Sequence, residues 1–208
     1  MEILFLIIIL IFSVVIHEVS HGVVANHLGD PTARLSGRLT LNPIPHLDPI
    51  GSILVPGLLV LFSQLSGGGG FIIGWAKPVP VNTFNLRNQR WGPALVSLAG
   101  PASNLAVAFV FGMLLRFAPP GILTPQLFLA LSSVAYLNLL LAVFNLLPIP
   151  PLDGSHLFLA LAPRSVAAAI QPVMAQYGLL ILLLFLFFLL PWLSSAVNLL
   201  FSLLVGTP

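Results

Sequence analysis

Residues 3–28 read ILFLIIILIFSVVIHEVSHGVVANHL, and this stretch decides what kind of protein the sequence encodes. It is long enough to cross a hydrocarbon core of about 30 Å, which requires roughly 20 helical residues. Its first half, Ile3–Ile16, is apolar apart from Ser13. The start Met1-Glu2 lacks the positive charge that opens a secretory signal peptide, so we expect the segment to be retained as a first spanning helix.

The composition of the whole chain agrees with a membrane setting. Of the 208 residues, 58% are hydrophobic and only 6% are charged, against about 25% charged in ordinary globular chains. Mean hydropathy is +1.10, so lipid must be the solvent for much of the surface. The net charge is only +2 and the sequence has no run of basic residues, which argues against a nucleic-acid partner. The absence of cysteine excludes disulfides, thiolate metal sites and a cysteine nucleophile.

Later apolar segments predict further membrane spans. These are Pro93–Phe117, about Pro125–Leu147, and about Tyr177–Leu204, the last kinked or broken near Pro191. Residues 51–73 are apolar but interrupted by glycine and proline, so this stretch is either a re-entrant segment or an extra short span. The sequence thus predicts an all-α polytopic membrane protein, with one domain over residues 1–208 and a bundle of about four to six transmembrane helices.

Two short segments predict membrane-associated β-strands beside this bundle. Residues near Leu39–Leu41 alternate in polarity, and Lys77–Val81 carries two prolines that exclude a helix. We therefore expect both segments to be extended.

The distribution of positive charge predicts the orientation. If residues 51–71 dip into the membrane and return, six of the seven Lys and Arg residues share one side, and only Arg116 lies on the other. By the positive-inside rule that side is cytoplasmic and the N-terminus is outside. If the segment crosses fully, the bias is largely lost.

The strongest local signal is His17-Glu18-Val19-Ser20-His21. Histidines at i and i+4 lie one turn apart on one helical face, so both imidazoles can reach one metal ion. Glu18 between them is placed to act as a base towards water. Ionisable residues cost about 3 kcal/mol each at the centre of a membrane helix, so their presence there suggests function. The alternative is a polar helix end that faces lipid headgroups.

A catalytic zinc usually takes three protein ligands, so a third must come from elsewhere in the chain. Of the remaining acids and histidines, Asp153 is the best placed, because it follows an apolar span and lies in a proline-rich break. Irregular backbone at membrane depth is tolerated where it lines a watery cavity. The alternative is that the break is only a turn leaving the membrane, with Asp153 capping the next helix. The residues themselves leave both readings open.

Other polar residues receive weaker assignments. His46 and Asp48 lie in one proline-containing loop, where a structural hydrogen-bonding role competes with a role adjacent to the site, such as gating. His156 follows Asp153 closely, but we favour no ligand role for it. His27 fits a membrane interface.

The paired motifs resemble those of the site-2 protease family, the M50-type intramembrane zinc metalloproteases. The first motif is His-Glu-x-x-His at residues 17–21, and the second is Asn-x-x-Pro-x-Pro-x-x-Asp-Gly at residues 145–154. Residues 74–81 and 100–104 are also similar to segments of bacterial members. The chain looks like a compact bacterial type, since no segment is long enough for the PDZ or CBS domain of many relatives.

The resemblance implies a role for each matching residue. His17, His21 and Asp153 would hold one zinc ion, and Glu18 would be the general base. Asn145 would help to bind the substrate. The extended segments would offer edges to an unwound substrate strand.

It also implies partners and a location. Substrates would be single-span membrane proteins or signal-peptide remnants in the bacterial cell membrane, selected by the membrane core itself or by a separate adaptor. The active site would face the cytoplasmic side.

Two other functions fit part of the pattern. A metal transporter or channel would also place histidines and acids inside a membrane, although it leaves Glu18 between the two histidines unexplained. A non-catalytic scaffold is disfavoured because Glu18 and all three candidate ligands are intact.

Overall fold

The computed structural model describes residues 2–55, 58, 74–119 and 121–206, and it is 74% helical. Its α-helices are α1 (Glu2–His27), α2 (Thr32–Leu35), α3 (Trp91–Arg116), α4 (Pro125–Asn145), α5 (Gly154–Leu161) and α6 (Arg164–Val205). Single turns of 3₁₀-helix occur at Ile44–His46 and Thr83–Asn85, and a π-helix at Pro49–Leu54.

Four helices in the described part of the chain are long and apolar enough to cross a membrane. Their apolar stretches are Leu4–His27, Trp91–Arg116, Pro125–Asn145 and Arg164–Phe185. Most of their large apolar side chains are exposed in the isolated chain, as expected for surfaces that lipid covers. The prediction of an all-α polytopic membrane protein is confirmed. The assignment of all 208 residues to one domain stays a prediction.

Helix α6 differs from the predicted last span. It begins at Arg164 instead of near Tyr177, and it continues through Pro191, so no break occurs there. A proline removes one backbone donor, and in lipid the surrounding helix is retained because every other backbone group needs its internal partner.

Helix α3 is the centre of the bundle. It packs against α1, α4, α5 and α6. Six of its ten buried residues are small, namely Gly92, Ala94, Ser97, Gly100, Ala108 and Gly112. Small residues let helix backbones approach closely, which is the main source of helix association in membranes.

The two ends of the bundle differ in charge. At one end, the Arg87 N–H donates to Leu28 O (3.0 Å), and the Arg90 side chain donates to Ala160 O and Ala162 O (both 3.2 Å). The end of α1, the start of α3 and the end of α5 therefore lie together at this end of the bundle. At the opposite end, Arg116 donates to Leu203 O (2.8 Å), near the C-terminus of α6.

Neither predicted β-strand is formed in the described part of the chain, so that prediction is wrong. Residues 38–42 are irregular, and Lys77–Val81 is extended without a strand partner. Pro78 and Pro80 have no N–H to donate to a strand ladder. The Lys77 and Pro78 carbonyls instead accept from Arg38 Nη2, at 2.7 and 3.1 Å.

The sequence predicts either a re-entrant segment or an extra short span over residues 51–73, and most of these residues lie outside the described ones. The described residues at the two ends of this segment, however, lie together. The Trp75 N–H donates to Gly51 O (3.1 Å), and Ser52 Oγ donates to Trp75 O (2.8 Å). The chain therefore returns at residue 75 to the place it left at residue 51.

Candidate metal centre

His17 and His21 lie on one face of α1, one turn apart. Their ring centroids are 4.6 Å apart and the ring planes meet at 87°. Both residues are buried, with exposures of 7% and 9%. The i, i+4 spacing thus brings two imidazoles to one point inside a helix that is otherwise apolar at its N-terminal half.

Asp153 completes a three-residue cluster from the other side of the bundle. Its Oδ2 lies 3.1 Å from His17 Nε2 and 3.3 Å from His21 Nε2. An ion that is held tetrahedrally by bonds of about 2.0–2.1 Å has donor atoms about 3.3 Å apart. The separations in the cluster therefore fit a single small ion. His17, His21 and Asp153 form the group of metal-type ligands found in the described residues.

The second nitrogen of each ring is fixed by a partner. His21 Nδ1 lies 2.7 Å from Val96 O, and His17 Nδ1 lies 2.6 Å from Asn104 Oδ1. A backbone carbonyl can only accept, so His21 Nδ1 carries the proton and its Nε2 presents a lone pair to the cluster. This is the usual arrangement around a ligating histidine, whose other N–H donates to a neighbouring oxygen.

Gly100 on α3 makes room for both rings. A Cβ atom at this position would lie 2.5 Å from His17 Nε2 and 2.5 Å from His21 Nε2. The close approach of α3 to the cluster therefore requires glycine here. The same approach places Val96 and Asn104 against the two Nδ1 atoms.

The break between α4 and α5 delivers Asp153. Gly154 follows it with no side chain, where a Cβ would run into the carbonyls of Leu146 and Leu147. Helix α6 packs behind the break: Leu182 joins Ile149 and Leu152 in a buried apolar cluster. The proline-rich sequence thus makes a compact turn that α6 holds in place, with Asp153 aimed at the histidines.

Glu18 is half-buried and contacts the extended segment Lys77–Val81. Its Oε2 accepts from the Val79 N–H at 2.8 Å. The segment itself is tied down at Lys77, whose N–H donates to His46 O (2.8 Å), and by the buried side chain of Arg38. A backbone donor therefore orients the carboxylate predicted to act as base.

Asp30 anchors the chain just beyond the same segment, at Asn82 and Asn85. This buried carboxylate accepts from the Asn82 N–H (2.6 Å), Asn85 Nδ2 (2.9 Å) and Thr32 Oγ1 (2.5 Å). Burial by itself raises the pKa of a carboxyl group, but these hydrogen bonds outweigh it and hold the pKa of Asp30 below its ordinary value.

The other predicted site residues lie outside the cluster. Asn145 Nδ2 donates to Leu141 O within α4 (2.9 Å). His46 is 1% exposed and its Nε2 lies 2.9 Å from Thr40 O, while Asp48 Oδ1 caps the π-helix by accepting from Gly51 N (2.6 Å). His156 is exposed. Substrate binding by Asn145 and a site-adjacent role for His46 and Asp48 stay predictions.

Several residues around the cluster had no role in the sequence interpretation. Gly100 and Asn104 appeared only within the motif at residues 100–104, Val79 only within the segment 77–81 and Ser13 only as an exception in an apolar run, and Asn138 did not appear. For the two asparagines a signal existed, because a side-chain amide inside a strongly apolar span needs an internal partner. No sequence pattern shows which partner that is.

The fold and the cluster define a class: a multi-pass membrane protein with two histidines and a carboxylate converging on a buried metal-type site. The sequence model of peptidase family M50 matches residues 121–189. The chain is also 42% identical over 185 residues to the "Putative zinc metalloprotease YwhC" of Bacillus subtilis, covering 86% of this chain and 78% of that protein. The chain belongs to peptidase family M50, which confirms the resemblance seen in the motifs.

More distant relatives are longer than this chain. The "Putative zinc metalloprotease Rip2" of Mycolicibacterium smegmatis is 33% identical over 69% of this chain, and that of Mycobacterium tuberculosis strain H37Rv is 39% identical over 73%. The matches span only 52% and 54% of those two proteins. No solved structure matches the chain.

Proposed function

We propose that this protein is an intramembrane zinc-dependent endopeptidase that hydrolyses peptide bonds within or near transmembrane segments of membrane proteins. The observation that carries the proposal is the convergence of His17 Nε2, His21 Nε2 and Asp153 Oδ2 inside the bundle, beside Glu18. Family membership and the names of the relatives support it.

The donor set fits one zinc ion. Two imidazole nitrogens and one carboxylate oxygen are typical ligands of a catalytic zinc, with a further position left for water or substrate. The relatives are named as zinc metalloproteases. When bound in such a site, zinc polarises a carbonyl group and lowers the pKa of water towards about 7.

The chain's own residues supply the proton transfers and the positioning. Glu18 accepts a proton from the attacking water and passes it to the leaving amine. Its carboxylate is held for this by the Val79 N–H. Asn145, at the end of α4 before the break, contacts the substrate backbone. The extended segment Lys77–Val81 holds an unwound substrate, since a helical substrate hides its peptide bonds.

The charge distribution supports an orientation with the active site towards the cytoplasmic side of the bacterial cell membrane. Residues 51 and 75 are joined by hydrogen bonds, and the end of α1 meets the start of α3. The cations between Arg34 and Arg90 and at Arg164 therefore share one end of the bundle, and Arg116 lies at the other. Substrates would be single-span membrane proteins or signal-peptide remnants, with a separate adaptor able to assist selection.

The deciding experiment compares wild type with Glu18→Gln in detergent or liposomes. Both proteins are incubated with a panel of single-span peptides, and bound zinc is measured in both. We expect equal zinc content, with cleavage inside the span by wild type only. Glutamine keeps the shape of the side chain but cannot take the proton.

Other outcomes would contradict the proposal in different ways. Cleavage by Glu18→Gln would show that Glu18 is not the base. A wild type that contains no zinc would show that the cluster is not a zinc site. Zinc uptake into proteoliposomes without any proteolysis would favour the transporter function instead.

A further inference from the structure

A buried polar network links three of the spanning helices next to the metal centre. It consists of Ser13 on α1, Asn104 on α3 and Asn138 on α4. Both asparagines are 0% exposed and Ser13 is 4% exposed. Polar side chains are costly in this environment unless each group is paired, so a complete network inside an apolar bundle suggests a specific use.

The orientation of the Asn104 amide is determined by its neighbours. Its Nδ2 lies 3.3 Å from the Ser13 backbone carbonyl and 2.8 Å from Asn138 Oδ1. Since a backbone carbonyl only accepts, the NH₂ group must point that way. Asn104 Oδ1 then faces His17 Nδ1 at 2.6 Å as an acceptor. His17 therefore carries its proton on Nδ1 and presents the Nε2 lone pair to the cluster.

Asn138 is oriented by the same logic. Its Nδ2 lies 2.9 Å from the Val134 carbonyl and 2.9 Å from Ser13 Oγ. The NH₂ group must face the carbonyl, which turns Asn138 Oδ1 towards Asn104 Nδ2. Each amide thus fixes the next one, and the last one fixes the imidazole.

We propose that Asn138 is a positioning residue for the metal centre, acting through Asn104 to hold His17 in the ring orientation and tautomer that a metal ligand needs. The proposal rests on the proposed function, because it assumes that His17 binds zinc. The described hydrogen bonds of Asn138 join it to Asn104, Ser13 and Val134, and not to His17, His21 or Asp153. If Asn104 turned over, its NH₂ group would face His17 Nδ1, and the proton would move to the nitrogen that must bind the metal.

The test replaces the hydrogen-bond acceptor at position 138 and measures metal binding instead of catalysis. Asn138→Leu removes the acceptor at similar volume, and Asn138→Ala removes it without adding bulk, in case leucine does not pack. Asn138→Asp keeps a carbonyl towards Asn104, because a carboxyl group in this apolar site is expected to be protonated. Zinc affinity is measured by chelator competition, and the coordination geometry by the visible spectrum of the Co²⁺-loaded protein.

We expect Asn138→Leu or Asn138→Ala to weaken zinc binding by about 10- to 100-fold and to alter the Co²⁺ spectrum, as loss of a partner behind a metal ligand generally does. Asn138→Asp should restore most of the affinity. In the background of Asn104→Leu, the further change at Asn138 should have little additional effect, because Asn138 acts through Asn104.

Controls separate positioning from helix packing. Ser133 lies on the same helix and is partly exposed, and its hydroxyl donates to Leu129 O (2.8 Å). The control Ser133→Ala should therefore leave zinc affinity unchanged. Wild-type zinc affinity in a folded Asn138→Leu or Asn138→Ala protein would overturn the proposal, as would an Asn138→Asp protein as weak as these. Because the readout is metal affinity, a wild type that binds zinc but cleaves nothing would contradict the proposed function and leave this result standing.

Discussion

Gly100 lies against both histidines of the candidate metal centre, where the structure leaves no room for a side chain. A Cβ atom on Gly100 would lie 2.5 Å from ring atoms of both His17 and His21, well inside contact distance. We expect Gly100→Ala to displace one or both rings. Because the orientation of a ligating imidazole strongly affects metal affinity, the displacement should lower zinc affinity by at least about tenfold. Zinc affinity by chelator competition measures the effect.

The matched control is Ala102→Val, which adds bulk at an exposed position on the same helix. It should bind zinc as wild type does. Equal zinc affinity in Gly100→Ala and wild type would mean that α3 does not hold the rings as the structure indicates.

Asp30 makes a residue-level prediction about pH. Its pKa is held below the ordinary value by four hydrogen bonds, so the folded state prefers the ionised form. Its contribution to stability is therefore complete above the unfolded pKa of about 3.9 and is lost as the pH falls through the lower folded pKa. We expect wild type to be more thermally stable than Asp30→Asn at pH 7, and the difference to shrink below about pH 4.

Thermal unfolding in detergent at several pH values checks this prediction. A stability difference between wild type and Asp30→Asn that stays constant from pH 7 to pH 3 would show that the charge of Asp30 is not what the hydrogen bonds stabilise.

Sequence reasoning was effective for residues whose spacing has a geometric meaning. His17 and His21 could be paired because i and i+4 share a helical face. Asp153 could only be suggested, because a proline-rich break does not show where its carboxylate points. Asn138 could be recognised only as an amide in an apolar span that needs an internal partner, since that partner, Asn104, is 34 positions away in the chain and on another helix.

At the scale of elements, the extended segment Lys77–Val81 connects the loops to α1, the helix that carries Glu18. Arg38 Nη2 donates to its Lys77 and Pro78 carbonyls, and the next residue, Val79, donates to Glu18. We expect Arg38→Met to loosen the segment and to reduce cleavage by at least about tenfold, because misplacing catalytic groups by about 1 Å has effects of this order or larger. Zinc content should be unchanged, since Arg38 contacts no candidate ligand.

Cleavage rate and zinc content measured together test this separation. Arg34→Met removes a positive charge from the exposed surface of α2 nearby and serves as the control. If Arg34→Met and Arg38→Met reduce cleavage equally, the effect comes from charge at this end of the bundle and not from the hydrogen bonds of the segment.

The same segment shows where element prediction failed. Its prolines correctly excluded a helix, but they also remove the donors that a strand needs, so the segment is extended and unpaired. Its partners include a buried arginine and the Glu18 carboxylate, and the residue that follows it, Asn82, donates to Asp30. Such partners are distant in sequence and leave no periodic pattern, whereas the spanning helices were evident from length and hydropathy alone.

At the scale of the whole molecule, the asymmetry of charge between the two ends predicts the orientation in the membrane. The chain contains no cysteine, so single cysteines can be introduced without background. Ser36 is exposed at the end that carries most of the cations, and Gln126 is exposed in the first turn of α4, at the end near Arg116. By the positive-inside rule we expect Gln126→Cys to react with a membrane-impermeant maleimide in intact cells, and Ser36→Cys to react only after permeabilisation.

The opposite labelling pattern would place the metal centre nearer the outer face and would contradict the proposed orientation. Labelling of both cysteines in intact cells would mean that the two ends share a side, which conflicts with a membrane crossing by α3 between Ser36 and Gln126. The outcome bears on function, because the depth of His17 and His21 in the C-terminal half of α1 determines the side from which water and an unwound substrate reach the site. Labelling as expected would therefore restrict the search for substrates to membrane segments presented from the cytoplasmic side.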